Sequence, residues 1–199
     1  MIIEENFLND EEVEIVQKCI IDSSDFPWYM HHLSSSYDYP FYSHTLKRRD
    51  TDDWVQLEIN SGWTGFFYPI LQRFVDKHKL YEGDYKIMRC ALNDTLSYPD
   101  KGCDVHIDYE EEHLVVMIYL TDSSGDTIFY TKQWKEGDKP VFKNRLKNSK
   151  GYPKLKVKQT ITPEIGKMIC YNGLNYHSHN WKKPNERRVI CIFGIKKGD

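Results

Sequence analysis

His106 and Asp108 stand two residues apart in Val105-His106-Ile107-Asp108, so on an extended segment their side chains point to the same side. His177 follows about seventy residues later, and Arg187-Arg188 comes just beyond it. Two imidazoles and one carboxylate form the ligand set that holds non-haem Fe(II) and leaves adjacent positions open for substrate and oxygen. An arginine after the second His can clamp the carboxylate of a co-substrate that chelates the metal, because a planar guanidinium donates two parallel hydrogen bonds. That combination is oxygenase chemistry. A lone His-x-Asp is a weak signal, and the later His and Arg give it weight. His179 competes for the third ligand position, since it faces the same way as His177 on an extended segment. Arg187 and Arg188 are strand neighbours, so only one can enter a pocket; the other is a surface cation.

These residues need a scaffold. A helix is expected over residues 10–21, with Asn9 as its cap, Glu12 completing a capping box, and Val13, Val16 and Ile20 on one face. Residues 22–50 show no clear period and read as irregular structure or short edge strands. A second helix is expected from Gly62 to about His78, with Phe66, Phe67, Ile70, Leu71, Phe74 and Val75 as a wide apolar stripe. Pro69 inside it predicts a separate or kinked first turn, and Gly83 closes the helical region. After that the pattern turns to strands, over 84–92, 113–121, 126–130, 155–162, 166–172 and 187–195. The unbroken apolar run Val115–Leu120 suits a strand buried on both faces. Helices first and strands later give an α+β protein whose main body is a β-sandwich or jelly roll.

The bulk numbers remove several alternatives. At 199 residues the chain suits one domain with a sizeable core, and 14% aromatics argue against disorder. The formal net charge of -3 advertises neither nucleic acid nor a membrane surface. Five cysteines, none in Cys-x-x-Cys spacing, speak against a disulfide scaffold or a structural zinc site and for reduced thiols in a cytoplasmic protein. The N-terminus shows no signal-peptide pattern, and no apolar stretch reaches the ~20 residues of a membrane span. Residues 131–158 carry ten Lys or Arg against two acids. They read as a basic loop between two strands, either solvated surface or a flap that recruits an acidic substrate.

From about Tyr85 onward the chain resembles the Fe(II)/2-oxoglutarate-dependent oxygenase superfamily, on its prolyl 4-hydroxylase-like side. His106-Ile107-Asp108 matches the His-x-Asp ligand pair. Ile118-Tyr119-Leu120-Thr121 and Gly125-Asp126-Thr127-Ile128-Phe129 resemble the Tyr-Leu-Asn and Gly-Gly-x-Thr-x-Phe blocks, with Ser124 in place of the first Gly. Pro163-x-x-Gly166, Tyr171-Asn172-Gly173 and His177-Ser178 resemble the run that ends in the distal His. Arg187-Arg188-Val189-Ile190 fits the closing strand. Upstream, Phe26-Pro27-Trp28-Tyr29, Tyr42-Ser43-His44-Thr45 and Ile87-Met88-Arg89 through Asn93 resemble a branch found in phage and marine microbial sequences.

The resemblance implies a double-stranded β-helix (jelly roll) core over 83–199, supported by a helical segment over 1–82, with 131–158 as an insertion. It implies His106, Asp108 and His177 as metal ligands, favouring His177 over His179. For the 2-oxoglutarate clamp, the spacing from His177 favours Arg187 and the register of the last strand favours Arg188. Arg188 is preferred and Arg187 stays open. Arg89, Asn93, Tyr119 and Thr127 are further candidates for the co-substrate pocket, though a buried strand Tyr is more often core. Trp28, Tyr29 and His44 are candidates for the substrate mouth, with ordinary packing the blander account. His31, His32 and His113 read as surface or core residues. The implied cofactors are Fe(II) and 2-oxoglutarate. The implied reaction consumes oxygen, releases succinate and carbon dioxide, and hydroxylates a protein, peptide or small molecule. Two rival readings remain: a jelly roll that binds zinc or another metal without turnover, closed by a fourth ligand such as His179, and an oxygenase acting on nucleic acid through the basic segment.

Overall fold

The computed structural model of the chain describes residues 1–31, 41–48, 61–97, 103–142, 155–180 and 183–198. Helix α1 (Asp10–Val16) starts where expected: the Asn9 side chain accepts from the Glu12 N–H at 2.8 Å and the Glu12 carboxylate accepts from the Asn9 N–H at 2.9 Å. The helix continues as a π-helical stretch, Gln17–Ile21, that keeps Val16 and Ile20 buried. Helix α2 (Thr64–His78) runs unbroken through Pro69, and its Phe67, Ile70, Leu71, Phe74 and Val75 are buried. The kink expected at Pro69 would save about 3 kcal/mol. Five buried apolar side chains, at about 1.5–3 kcal/mol each, hold the helix together against that. The helix ends at His78, as the sequence pattern suggests. Lys79 takes the left-handed conformation (φ 49°), and its N–H bonds back to Asp76.

The described residues form twelve strands, in chain order β1 (Ile2–Glu4), β2 (Tyr29–His31), β3 (Phe41–Lys47), β4 (Tyr85–Leu96), β5 (Val105–His106), β6 (Leu114–Tyr119), β7 (Thr127–Gln133), β8 (Val141–Phe142), β9 (Val157–Ile161), β10 (Met168–Asn172), β11 (Asn175–His179) and β12 (Arg187–Lys197). They form two antiparallel sheets. One has the order β1-β10-β6-β12-β4-β3-β2, the other β8-β5-β11-β7-β9. The expected helical N-terminal segment is therefore only partly helical. β1, β2 and β3 complete the larger sheet; β1 and β2, of three residues each, are too short to show a period, and β3 falls in the stretch read as irregular structure or short edge strands. β5 and β8 have two residues each, and β5 and β11 lie where the sequence reads as extended. The ends of the basic segment belong to β7 and β9, with β8 between them; its residues 143–154 lie outside the described residues.

Alternation within the larger sheet builds two cores. Val116 and Ile118 of β6, with Val189, Cys191 and Phe193 of β12, face the helices. Val115, Met117 and Tyr119, with Ile190 and Ile192, face the smaller sheet and meet Phe129 and Ile161 there. This two-sided burial accounts for the unbroken apolar run on β6. The five cysteines are free thiols.

Gly173, at the turn between β10 and β11, is fixed by a close approach. A Cβ there would lie 1.9 Å from Nε2 of the buried His113. Gly173→Ala should cost about 1–3 kcal/mol in urea unfolding. Combination with His113→Ala should cost less than the two changes summed.

Candidate metal centre

His106 ends β5 and His177 lies in the middle of β11. The two strands pair so that these residues are direct partners, with ring centroids 4.5 Å apart. The turn at Gly173-Leu174 separates β10 from β11 and brings His177 back beside β5. Asp108 sits just past β5. One ligand atom from each of His106, Asp108 and His177 lies within 4.8 Å of the others. His177 Nε2 is 3.8 Å from Asp108 Oδ2, and Arg89 Nη1 is 3.5 Å from Asp108 Oδ1.

The imidazoles are oriented by the backbone. His106 Nδ1 lies 2.7 Å from the Asp104 carbonyl and His177 Nδ1 lies 3.1 Å from the Asn175 carbonyl. A carbonyl only accepts, so each Nδ1 carries a proton, and the neutral ring then presents its Nε2 lone pair. That donor set suits a divalent cation of intermediate softness. Burial, then the neighbouring His106, holds His177 down at about 4. Burial also opposes charge on His106, but Cys103 and Asp108 raise it to about 9, so at neutral pH a metal binds His106 by displacing the Nε2 proton. Cys103 is buried beside the cluster. His179 and His106 hold its thiol well below the usual range although burial works the other way. No sequence signal pointed to Cys103. His179 is buried and faces the same cavity but lies outside the three-residue cluster, and its backbone N–H donates to Cys103 Sγ.

The cluster opens into a cavity of about 420 Å³, into which Arg89, Asn93, Thr127 and Arg188 also face. Strand parity separates the two arginines. Arg188 shares the inner face with Ile190 and Ile192. Arg187 shares the other face with Val189, where it pairs with Asp94 Oδ2 at 2.7 Å and donates to the Ile21 carbonyl at 3.0 Å. Arg188 is 4% exposed, and among the described residues no carboxylate pairs with it. Its Nη2 donates to Thr127 Oγ1 at 2.7 Å, and its Nε has no hydrogen-bond partner among the described residues. The Tyr119 hydroxyl donates to the same Thr127 oxygen at 2.7 Å, which leaves the threonine its own proton to give. Tyr119 is fully buried behind Thr127, so the blander reading of it holds in part. A buried guanidinium without a counter-ion is costly. A buried guanidinium, the Thr127 hydroxyl and the adjoining cavity together could hold an anion.

The expected substrate-mouth residues do not line the cavity. His44 is bonded to the Pro27 carbonyl and Ser61 Oγ, Trp28 packs on the helix-side core, and Tyr29 is exposed. Phe41 of β3 does line it and stacks on His31 at 4.9 Å. His113 is buried, and His32 lies outside the described residues.

His106→Ala and Asp108→Ala should each abolish tight binding of a divalent cation in a calorimetric titration while leaving far-UV circular dichroism unchanged. Arg187→Met should lower unfolding free energy by about 2 kcal/mol, because Asp94 stays buried without its partner. Arg188→Met should leave the stability of the metal-free protein equal or higher in the same measurement.

No protein-family model matches the chain, and no curated protein matches it. Solved structures do. A 2OG-Fe(II) oxygenase family oxidoreductase from Burkholderia pseudomallei superposes with a TM-score of 0.68 at 14% identity, over 100% of this chain and 85% of that one. A prolyl hydroxylase from Trichoplax adhaerens, in complex with a hypoxia inducible factor peptide fragment, gives a TM-score of 0.58 at 13% identity, over 98% and 82%. The viral collagen prolyl hydroxylase of Paramecium Bursaria Chlorella virus-1, in a 2OG complex, gives 0.53 at 13% identity, over 98% and 94%. Along nearly its whole length, then, this chain has the fold of the 2OG-Fe(II) oxygenases and prolyl hydroxylases.

Proposed function

We propose that the protein is an Fe(II)- and 2-oxoglutarate-dependent dioxygenase that hydroxylates a C–H bond, with succinate and carbon dioxide as co-products. The observation that carries the reading is the presence of two complementary features in one cavity: the His106, Asp108, His177 cluster and the buried Arg188 with no acid partner among the described residues. A metal-binding site that served structure alone would close its coordination with a fourth ligand and would have no use for a guanidinium held without a counter-ion. The fold likeness supports the same reading.

In this assignment His106, Asp108 and His177 hold the metal on one face. Arg188, with Thr127 beside it, binds the remote carboxylate of 2-oxoglutarate. Tyr119 fixes Thr127 from behind. Arg89 and Asn93 line the remaining wall, and Arg187 has a structural role through Asp94. Iron and 2-oxoglutarate, when bound, supply the oxygen activation and the oxidation of substrate. The protein supplies placement, charge and a wall of Ile190, Ile192 and Met117 that excludes water.

The two sheets form the double-stranded β-helix of a single oxygenase domain spanning 1–199. The substrate is a protein or peptide, with a prolyl side chain as one option, or a small molecule. The prolyl hydroxylases among the similar structures support the peptide option. No helix among the described residues is long and apolar enough to cross a membrane. A cytoplasmic location fits the free thiols.

Anaerobic addition of Fe(II) and then 2-oxoglutarate to the metal-free protein should produce a saturable visible charge-transfer band. His106→Ala should remove it. Arg188→Met should raise the 2-oxoglutarate concentration for half-saturation by tenfold or more, on the order of the loss of a charge-assisted contact. Tight zinc binding with no such band would instead establish the non-catalytic alternative.

A further inference from the structure

The two imidazoles of the metal cluster are set by backbone carbonyls, and the carboxylate is met by a side chain from the other sheet. Arg89 Nη1 lies 3.5 Å from Asp108 Oδ1, while His177 Nε2 lies 3.8 Å from Asp108 Oδ2. The two oxygens thus face different neighbours. Oδ2 faces the His177 nitrogen that presents a lone pair to a metal, and Oδ1 faces the guanidinium. The pair is largely withdrawn from solvent, with the Arg89 side chain 17% exposed and that of Asp108 10%. Salt screens such a pair far less than one on the surface.

Position on the sheets separates Arg89 from the arginine assigned to the co-substrate. Both line the cavity from the inner face of the larger sheet. On the β4–β12 ladder Arg188 is opposite Thr95, and Arg89 is opposite Gly194. Arg89 and Thr95 are therefore about 20 Å apart along β4, too far for both arginines to serve one small carboxylate. Arg188 reaches Thr127 of the smaller sheet at one end. Arg89 reaches Asp108, just past β5 of the smaller sheet, at the other.

A carboxylate can bind a metal through one oxygen or through both. Bound through both, it takes two coordination positions and leaves fewer for ligands that must enter. A guanidinium held on Oδ1 leaves Oδ2 as the metal donor. The alternative is that Arg89 stands in for the metal and competes with it. The division of the oxygens argues against that, because Arg89 and His177 face different ones.

We propose that Arg89 is a positioning residue: from the opposite sheet it holds Asp108 Oδ1, so that the carboxylate binds a metal through Oδ2 alone. This inference rests on the metal-cluster reading above and adds a residue to it. Each of the three ligands then takes one position, and adjacent positions stay open.

The test is a calorimetric titration of Mn(II) into the metal-free full chain, for wild type, Arg89→Met and Arg89→Lys. Arg89→Met should weaken Mn(II) binding by about tenfold or more, the usual effect of losing a group that orients a metal ligand. Arg89→Lys keeps a cation near Oδ1 and should recover most of that loss. The sign decides between the two accounts, since removing a positive charge near a cation site would by itself tighten Mn(II) binding. Affinity in Arg89→Met equal to or above wild type would overturn the proposal and mark Arg89 as a competitor for Asp108. Equal weakening in both variants would also overturn it, because the shape of the side chain rather than its charge would then be at work. Infrared difference spectra on Mn(II) addition give a readout that needs no variant. The asymmetric and symmetric carboxylate stretches are widely split when one oxygen binds and narrowly split when both do. Wild type should show the wide splitting, and the narrow one would sink the idea. Wild-type chain that binds no Mn(II) at all would defeat the metal reading itself.

Discussion

The pairing of β5 with β11 sets His106 directly opposite His177, and the rest of the site is arranged around that pair. Two imidazoles at a ring separation of 4.5 Å disfavour charge on each other, so they do not stay together for their own sake. The ladder holds them there. β11 is fixed on its other edge by β7, with His177 opposite Phe129, and Asp108 follows β5 by only two residues. The backbone carbonyls of Asp104 and Asn175 then set both rings in one tautomer. The cluster is a product of sheet register, and a slip of either strand by one residue would turn its histidine to the outer face.

A second constraint is parity on β12. Alternate residues of that strand serve two different cores, one under the helices and one between the sheets. The same alternation sends Arg187 to Asp94 and Arg188 into the cavity. The two adjacent arginines therefore face opposite energetic situations. Arg187 is neutralised within the chain and contributes to stability. Arg188 is buried with Thr127 and Met117 as its partners and, among the described residues, no carboxylate beside it, so its burial costs the fold free energy.

The helices act at one remove. α1 and α2 cover the outer face of the larger sheet, and Glu12 of α1 ties to Arg73 of α2 by two contacts of 2.8 Å. With one face sealed by Phe67, Leu71 and Phe74, the sheet can carry Asn93 and Arg188 among the apolar residues of its inner face without losing its core. The apolar run on β6 serves both purposes, since each neighbour belongs to a different core.

Some of this was written in local sequence. The capping box at Asn9, the apolar stripe of α2 and the strands β4, β6, β7, β9, β10 and β12 follow from periodicity and end signals, which act over a few residues. His106 and Asp108 were legible as a pair because their spacing is itself local. What only tertiary structure decided is longer in range. The partnership of His106 with His177 depends on a ladder between segments about seventy residues apart, and β5 is too short to announce itself. The choice between Arg187 and Arg188 depends on which face of β12 meets the second sheet. The passage of Trp28 and His44 from candidate substrate contacts to packing residues depends on a core assembled from both ends of the chain. Cys103 carried no signal of its own. One buried thiol in a sequence looks like any other, and only the fold brings this one beside the metal cluster.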